Sequence, residues 1–218
     1  MAEIRWFGHG CFRIRAKEAT IITDPVARST GYTLPKQPAD IITISHDHPG
    51  HTNLAAIKGD YQLISGPGEY EMHDVSVIGV RTYHDNKKGE VHGHNTMYII
   101  EVEGMRIAHL GDLGHDLTES QAEALDNVDL LFVPAGGGDL ISPELAAEIT
   151  ARVAPKIVVP MQFQTARGDK QLATVDGFCK QIGADVPTPE PKLTLRPSDL
   201  GTSLQLVVLE PDSEAATR

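Results

Sequence analysis

The sequence predicts an α/β protein in which two β-sheets pack together between helices. Two observations carry this prediction. Short strand-like runs fill the first half of the chain, and the second half alternates apolar strands with helices that have one apolar face. The 218 residues can bury a sizeable core. We therefore expect one domain over residues 1–210, followed by a frayed tail at 211–218.

The first half of the chain is predicted to consist mainly of strands. Apolar runs separated by Gly-His-Gly and by a short turn predict an antiparallel meander at residues 4–7, 11–15 and 20–23. A proline-bearing loop over 24–40 leads to the next strand, and residues 53–58 are predicted to form a brief helix. Further strands are predicted at 41–45, 62–64, 75–82, 96–102 and 106–110.

Three helices are predicted in the second half. The run Thr-Glu-Ser-Gln at 118–121 is a capping-box pattern that opens a helix ending near 125. Ser142 is the N-cap of a second helix, with Pro143 in its first turn and apolar residues recurring on one face. A third apolar stripe, over 172–182, is closed by Gly183. Strands are predicted at 130–133, 157–159 and 203–209.

Composition excludes several classes of partner. At net charge −11 and a pI near 5.3, the surface repels phosphate backbones, and no dense Lys/Arg run compensates, so we expect no nucleic-acid binding. Two cysteines are too few for a disulfide framework, and the first residues lack the apolar core of a signal peptide. We therefore expect a cytoplasmic, reduced protein. No apolar stretch approaches the ~20 residues that span a bilayer, so no membrane insertion is expected.

The most informative motif is His-Asp-His-Pro-Gly-His at residues 46–51, directly behind the predicted strand 41–45. Side chains at 46 and 48 point the same way in an extended turn, and the Pro-Gly bend can return His51 towards them. Imidazoles suit zinc and iron, and a catalytic zinc site commonly uses three protein ligands. The spacing predicts a transition-metal site. The alternative is a chance gathering of polar loop histidines.

Two residues further along the chain are candidate partners of this loop. His84 lies where the strand at 75–82 gives way to a loop, and it can supply another imidazole. Asp112 lies in the run Gly-Asp-Leu-Gly at 111–114, where glycines on both sides let the backbone bend closely around a carboxylate. A solvated loop histidine is the alternative for His84, and a turn without function is the alternative for Asp112.

Together these motifs resemble the metallo-β-lactamase superfamily, especially its branch of small metal-dependent hydrolases that contains ascorbate-6-phosphate lactonase. The resemblance covers nearly the whole length of the chain. It is carried by Trp-Phe-Gly-His-Gly at 6–10, Thr-Asp-Pro at 23–25, the loop 46–51, His84 and Leu-Gly-Asp at 110–112. It implies a four-layer αββα sandwich of two mixed β-sheets with the metal site at one edge. Metal-bound hydroxide is then expected to attack an ester, lactone, amide or phosphoester.

Two departures from the family pattern fall on one half of the implied site. The family motif is His-x-His-x-Asp-His, and its aspartate position is Gly50 here, while the late histidine expected after strand 157–159 is Gln162. In two-metal members these positions bind the second metal together with residues that match His51 and Asp112. The resemblance therefore implies one intact site.

The intact site is expected to bind one metal ion per chain through His46, His48 and His84. Zinc is the favoured metal, with manganese or iron as alternatives. The second site, at His51 and Asp112, is expected to be depleted.

The remaining polar residues have expected roles around this centre. Asp112 orients water or accepts its proton, and His51 acts as general base or acid. His9 and Asp24 support the ligating imidazoles, because such rings usually donate their other N–H to a neighbour. His94 and Gln162 are expected near the substrate. The expected partner is a small molecule, with an anionic substrate and a homo-oligomer as open options.

Two alternatives remain open. One is a binding or structural protein that retains the fold while its metal site has decayed. The other keeps two metals, with His92 or His94 swung in as a substitute ligand.

Overall fold

Two mixed β-sheets form the centre of the fold, which the computed structural model describes over residues 1–212. The strands are β1 (Ala2–Trp6), β2 (Phe12–Arg15), β3 (Thr20–Thr23), β4 (Gln37–Pro38), β5 (Ile41–Ile44), β6 (Ile57–Lys58), β7 (Gln62–Ser65), β8 (Gly68–Met72), β9 (Val75–Tyr83), β10 (His94–Val102), β11 (Met105–His109), β12 (Leu130–Pro134), β13 (Ile157–Met161), β14 (Leu193–Leu195) and β15 (Gln205–Leu206). The α-helices are α1 (Glu119–Ala124), α2 (Pro143–Val153) and α3 (Val175–Gln181), and the 3₁₀ helices are Arg28–Thr30, Leu54–Ala56 and Pro197–Asp199.

Both large sheets mix parallel and antiparallel pairs. The six-stranded sheet has the order β14-β1-β2-β3-β5-β7, and the seven-stranded sheet has the order β15-β13-β12-β11-β10-β9-β8. The predicted antiparallel meander is confirmed in β1, β2 and β3. Parallel pairing continues through β5 and β7 in one sheet and through β11, β12 and β13 in the other. The prediction of two mixed sheets is thus confirmed.

The main core lies between the sheets. Tyr98 of β10 points into it, whereas its neighbours Met97 and Ile99 point to the opposite face, under the helices. A strand buried on both faces is apolar along its buried part, which is why the centre of β10 is the apolar run Met-Tyr-Ile-Ile at 97–100. Phe12 and Phe132, one from each sheet, stack with ring centroids 4.0 Å apart and join the two layers.

The two outer layers are unequal. Helices α1, α2 and α3 cover the seven-stranded sheet. The outer face of the six-stranded sheet is covered within residues 1–212 by the loop over 24–40 and by 3₁₀ turns, not by an α-helix. The predicted helix at 53–58 is one of these turns, Leu54–Ala56, followed by β6. The capping box at Thr118 and the N-cap at Ser142 are confirmed.

The sequence did not predict four strands: the two-residue strands β4 and β6, and β8 and β14, whose sequences lack a strong apolar pattern. Strand β8 is an exposed edge strand rich in glutamate, paired antiparallel with β9. Strand β14 has three residues in the proline-rich connection and pairs with β1. The predicted final strand at 203–209 is shorter than expected, since only β15 has regular pairing there.

The first residues of the predicted tail are attached to β1. Pro211 pairs with Trp6, and the backbone N–H of Asp212 donates to the Trp6 carbonyl at 2.7 Å. Arg5 Nη1 lies 3.1 Å from Asp212 Oδ2. The rest of the tail prediction, at 213–218, lies outside the described residues. No helix within residues 1–212 is long and apolar enough to cross a membrane.

Candidate metal centre

The candidate residues lie on loops at one edge of the two sheets. Each follows the carboxyl end of a strand: His9 after β1, Asp24 after β3, residues 46–51 after β5, His84 after β9, Asp112 after β11 and Gln162 after β13. Within each sheet these strands run in the same direction. The sheets meet at this edge, where the Thr96 N–H donates to the Ser45 carbonyl at 2.8 Å. Because these strands are parallel to one another within each sheet, loops from distant parts of the chain meet at this edge.

The carboxylate of Asp112 is the centre of this convergence. Its Oδ2 lies 3.7 Å from His46 Nε2, 3.4 Å from His51 Nε2 and 3.5 Å from His84 Nε2. The ring of His46 is 4.4 Å from that of His51 and 4.9 Å from that of His84. Asp112 is only 4% exposed. Three imidazoles thus surround one buried carboxylate oxygen.

Several of these nitrogens are buried without a well-formed hydrogen bond. Within the described part of the chain this holds for Nε2 of His46 and for both ring nitrogens of His51. An unsatisfied buried polar group costs about 1–3 kcal/mol, so the cluster is unfavourable without a further partner. Imidazole and carboxylate together are a donor set suited to divalent transition metals. The residues present therefore fit a metal ion.

Three overlapping groups among residues 1–212 have ligand atoms within 4.8 Å of one another: His46 with His84 and Asp112, His46 with His48 and His51, and His9 with His51 and Asp112. His48 and His84 do not share a group. His48 is exposed, and its Nδ1 accepts a hydrogen bond from the Gly50 N–H at 3.2 Å. The structure therefore sets Asp112, rather than His48, beside His46 and His84. His92 and His94 belong to none of the three groups.

Glycines allow the Asp112 loop to approach its neighbours. Gly111 has φ +59°, and a Cβ there would lie 2.4 Å from Asn95 Oδ1. A Cβ at Gly114 would lie 2.4 Å from the carbonyl carbon of His84. Neither position has room for a side chain, and the left-handed φ at Gly111 disfavours one in any case. The glycines on both sides of Asp112 are thus required by close packing, against side chains at Gly111 and against backbone at Gly114.

Behind the cluster, Asp24 and Ser45 orient two imidazoles. The Ser45 N–H and hydroxyl donate to the two carboxylate oxygens of Asp24, each at 2.7 Å. Because the hydroxyl proton is used there, Ser45 Oγ accepts from His46 Nδ1 at 2.9 Å, which leaves His46 Nε2 unprotonated. Asp24 Oδ2 also lies 3.1 Å from His51 Nδ1. Such supporting contacts set the tautomer and orientation of metal ligands.

Sequence reasoning missed Ser45 and two other supporting residues. His109 Nε2 donates to the Gly10 carbonyl at 2.8 Å, and its Nδ1 accepts from the Gly111 N–H at 3.2 Å. Asn95 Oδ1 accepts from the Asp112 N–H at 3.0 Å. Each is a polar residue at the end of an otherwise apolar strand, and that signal was available in the sequence.

Comparison with known proteins identifies the family. Residues 3–162 match the family model described as a beta-lactamase superfamily domain. The chain belongs to the metallo-β-lactamase superfamily. The match ends at Gln162, so it includes every candidate residue at this edge of the sheets.

Individual superfamily members agree with this assignment. A Thermotoga maritima structure, named as a Zn-dependent hydrolase of the superfamily, has a TM-score of 0.79 and 33% identity, covering 96% of this chain and 98% of that one. A UPF0173 protein of Pyrococcus abyssi is 29% identical, covering 83% and 90%. A UPF0173 metal-dependent hydrolase of Thermococcus onnurineus is 27% identical, covering 76% and 86%. The predicted superfamily is confirmed, while the narrower resemblance to ascorbate-6-phosphate lactonase stays a prediction.

The charged groups of the candidate metal centre are His51 and the carboxylates of Asp24 and Asp112. Burial acts to raise the pKa values of Asp24 and Asp112, but the attraction of His51 outweighs it and lowers both. Burial acts to lower the pKa of His51, yet the attraction of Asp112 and Asp24 raises it to about 10. Burial lowers the pKa values of His9 and His46 to about 4. At neutral pH the metal-free protein therefore holds a protonated His51 beside neutral His9 and His46.

We expect the metal-free protein to lose stability as pH rises from neutral towards 10. The folded pKa of His51 is about 10, against an ordinary value of 6.5. A raised pKa contributes its stability in full below the unfolded value, and that contribution is lost as pH rises through the folded value. Thermal unfolding in EDTA between pH 6.5 and 10 measures the effect. His51→Gln should flatten the profile, and exposed His73→Gln should not; parallel profiles for all three proteins would contradict the expectation.

The loop that follows His84 is organised by Asp85. Its Oδ1 accepts from the N–H groups of Lys87 and Gly89, both at 2.8 Å, and its Oδ2 accepts from those of Val91 and His92 at 3.0 and 2.8 Å. The bond from His92, together with the other three, holds the pKa of Asp85 well below its usual range. The loop end returns to His84, whose N–H donates to the Gly93 carbonyl at 3.1 Å.

We expect Asp85→Asn to loosen this loop and weaken metal binding by about 10-fold, as is typical when a group that supports a metal ligand is altered. The new NH₂ faces backbone N–H groups that need an acceptor. Hydrogen exchange should quicken at residues 86–93, and zinc titration should report the affinity. Asp60→Asn, at an exposed loop residue, is the control. Unchanged exchange in the Asp85 variant would refute the assigned role.

Two cavities flank the cluster. One, of about 720 Å³, is lined by residues that include His46, Arg81 and His94. The other, of about 680 Å³, lies beside His9 and Gln162. A larger cavity of about 890 Å³ is lined by turn residues 17–18 and 101–106 among others and contains no histidine, so it does not adjoin the candidate ligands. The two cavities beside the cluster are the candidate substrate sites.

Proposed function

We propose that the protein is a hydrolase with one zinc ion per chain, acting on a small ester, lactone or phosphoester. The observation that carries this proposal is the convergence of three imidazole nitrogens, from His46, His51 and His84, on Asp112 Oδ2. In this proposal His46, His84 and Asp112 hold the ion. His48, the exposed histidine of the same loop, shares a ligand group with His46 and His51 but not with His84. Manganese and iron are the alternative metals.

When bound, a divalent cation would supply Lewis acidity, which polarises a carbonyl or phosphoryl oxygen and makes water nucleophilic at neutral pH. The chain itself supplies groups that move protons. Asp112 orients the attacking water and accepts its proton through Oδ2. His51, whose Nδ1 lies 3.1 Å from Asp24 Oδ2, donates a proton to the leaving-group oxygen.

The cavity of about 720 Å³ is the proposed substrate site. It adjoins His46 and combines apolar residues such as Leu63 with polar ones such as Thr52 and His94. Arg81 also lines it and forms no ion pair within residues 1–212, so it is available for an anionic group of the substrate. Asp47 also lines this cavity and favours a substrate with a single localised negative charge over a polyanion.

Metal analysis combined with a hydrolysis panel tests the proposal. Protein purified without chelators should contain about one zinc per chain, and the panel should include lactones, phosphodiesters and simple esters. We expect turnover of one substrate class, its loss in EDTA and its recovery with zinc. His46→Ala should remove both zinc and turnover. Absence of hydrolysis across the panel, with a melting temperature that metal removal does not change, would instead favour the binding protein with a decayed site.

A further inference from the structure

Gln162 lies between His9 and Asp112 at the end of β13. It is 2% exposed, and its Nε2 donates two hydrogen bonds, one to Asp112 Oδ1 and one to His9 Nδ1 at 2.9 Å. The carboxylate of Asp112 is therefore shared: Oδ1 accepts from the amide, and Oδ2 faces the imidazoles of the cluster.

The orientation of this amide follows from the chemistry of its neighbours. An ionised carboxylate can only accept hydrogen bonds, so the amide must turn its NH₂ and not its oxygen towards Asp112. The same NH₂ group donates to His9 Nδ1. In a neutral imidazole whose Nδ1 accepts, Nε2 carries the proton, so neither nitrogen of His9 has a lone pair free for a cation.

These hydrogen bonds occupy possible ligand atoms in one of the three groups that have metal-ligand spacing. His9, His51 and Asp112 form that group, and Gln162 uses acceptor atoms of two of its members. A cation that used His9 Nδ1 or Asp112 Oδ1 as a ligand would have to break the hydrogen bond that Gln162 makes to that atom. The amide N–H groups also place partial positive charge where the charge of a cation would otherwise lie.

The backbone keeps Gln162 in this position. Its φ is +53°, a left-handed conformation that is unfavourable for a residue other than glycine and persists where the surrounding structure enforces it. A Cβ at Gly136 would lie 2.1 Å from the Gln162 carbonyl oxygen, so the neighbouring loop packs directly on this peptide group. The side chain is therefore aimed at His9 and Asp112 by a constrained backbone.

We infer that Gln162 is an amide plug that closes the His9–His51–Asp112 group to a second cation and keeps Asp112 Oδ2 turned towards His46 and His84. This inference rests on the proposed function and deepens it. It makes Gln162 a positioning residue whose removal should change how many ions the centre binds.

Zinc binding by Gln162→Glu tests the inference. Glutamate has the same length but no N–H donors, and its carboxylate would repel Asp112 unless a cation lies between them. We expect about one zinc per chain in the wild type and about two in Gln162→Glu, measured by elemental analysis of the whole protein and by zinc titration calorimetry. Gln164→Glu, two residues along the same loop, is the matched control and should bind about one.

The outcomes separate this inference from the proposed function. One zinc in a folded Gln162→Glu protein, with wild-type affinity, overturns the plug while leaving the hydrolase proposal standing. A second tight zinc site in the wild type also overturns it, whether or not the variant folds. No zinc in either protein overturns the proposed function and the plug with it. If circular dichroism shows that Gln162→Glu is unfolded, Gln162→Leu, which also lacks the donors, takes its place with the same expected gain.

Discussion

Replacing Asp112 with asparagine is expected to abolish hydrolysis and to weaken zinc binding by more than about 100-fold. Altering a group that merely supports a metal ligand typically costs 10–100-fold in affinity, and Asp112 is the shared partner of three imidazoles. The amide of asparagine has no negative charge, so it attracts a cation and protonated His51 far less than the carboxylate does. Zinc titration and turnover on the substrate class found in the panel measure the two effects.

Asp116→Asn is the matched control for this substitution. Asp116 lies four residues further along the same loop, but it is exposed and pairs with Arg152 at the surface. This variant should keep wild-type zinc affinity and turnover, because surface ion pairs contribute little. If Asp112→Asn retained a full complement of zinc, the carboxylate would have no part in holding the ion.

Gly111→Ala is expected to destabilise the protein by about 3 kcal/mol or more, through a new clash combined with an unfavourable φ. The added Cβ would lie 2.4 Å from Asn95 Oδ1 and 2.6 Å from Ser45 Cβ, both of which belong to the buried edge of the site. Moving Asn95 would also break its bond to the Asp112 N–H. Urea denaturation of the metal-free protein measures the loss, and zinc affinity should fall in parallel.

The Gly59→Ala variant separates the cost of an unfavourable backbone conformation from the cost of the clash expected in Gly111→Ala. Gly59 has φ +87°, and a Cβ there meets nothing within 4 Å. Its replacement should cost only the backbone penalty of about 1–2 kcal/mol. Equal losses in the two variants would mean that the close approach around Gly111 does not matter for stability.

The local parts of the site could be predicted from sequence because each depends on neighbours in the chain. The loop at 46–51 follows a short apolar strand, and glycines flank Asp112; both patterns are visible without a structure. The helix starts at Thr118 and Ser142 were predictable for the same reason, since caps involve residues three or four positions apart. Strand β14 was not, because its pairing with β1 joins residues almost 200 positions apart in a segment with few apolar residues.

The arrangement within the centre depended on contacts between loops. The family resemblance implied a trio of His46, His48 and His84, whereas in the folded chain Asp112 lies beside His46 and His84. The Gly50 N–H donates to Nδ1 of His48, whose exposed ring shares a group with His46 and His51 but not with His84. Spacing along one loop cannot reveal which rings face a carboxylate that arrives from the other sheet.

The sequence was enough to predict which chemical groups form the centre, namely histidines and one aspartate at strand ends. Residue identity and strand periodicity are local properties, so no structure is needed to recognise them. The sequence also showed Gln162 at the position where the family has a histidine, but from the sequence this indicated only that a metal ligand is missing. In the folded chain the amide donates to Asp112 and His9. That contact exists because β11, β13 and the turn after β1 end at the same edge of two packed sheets, and packing over such sequence distances follows from the whole fold.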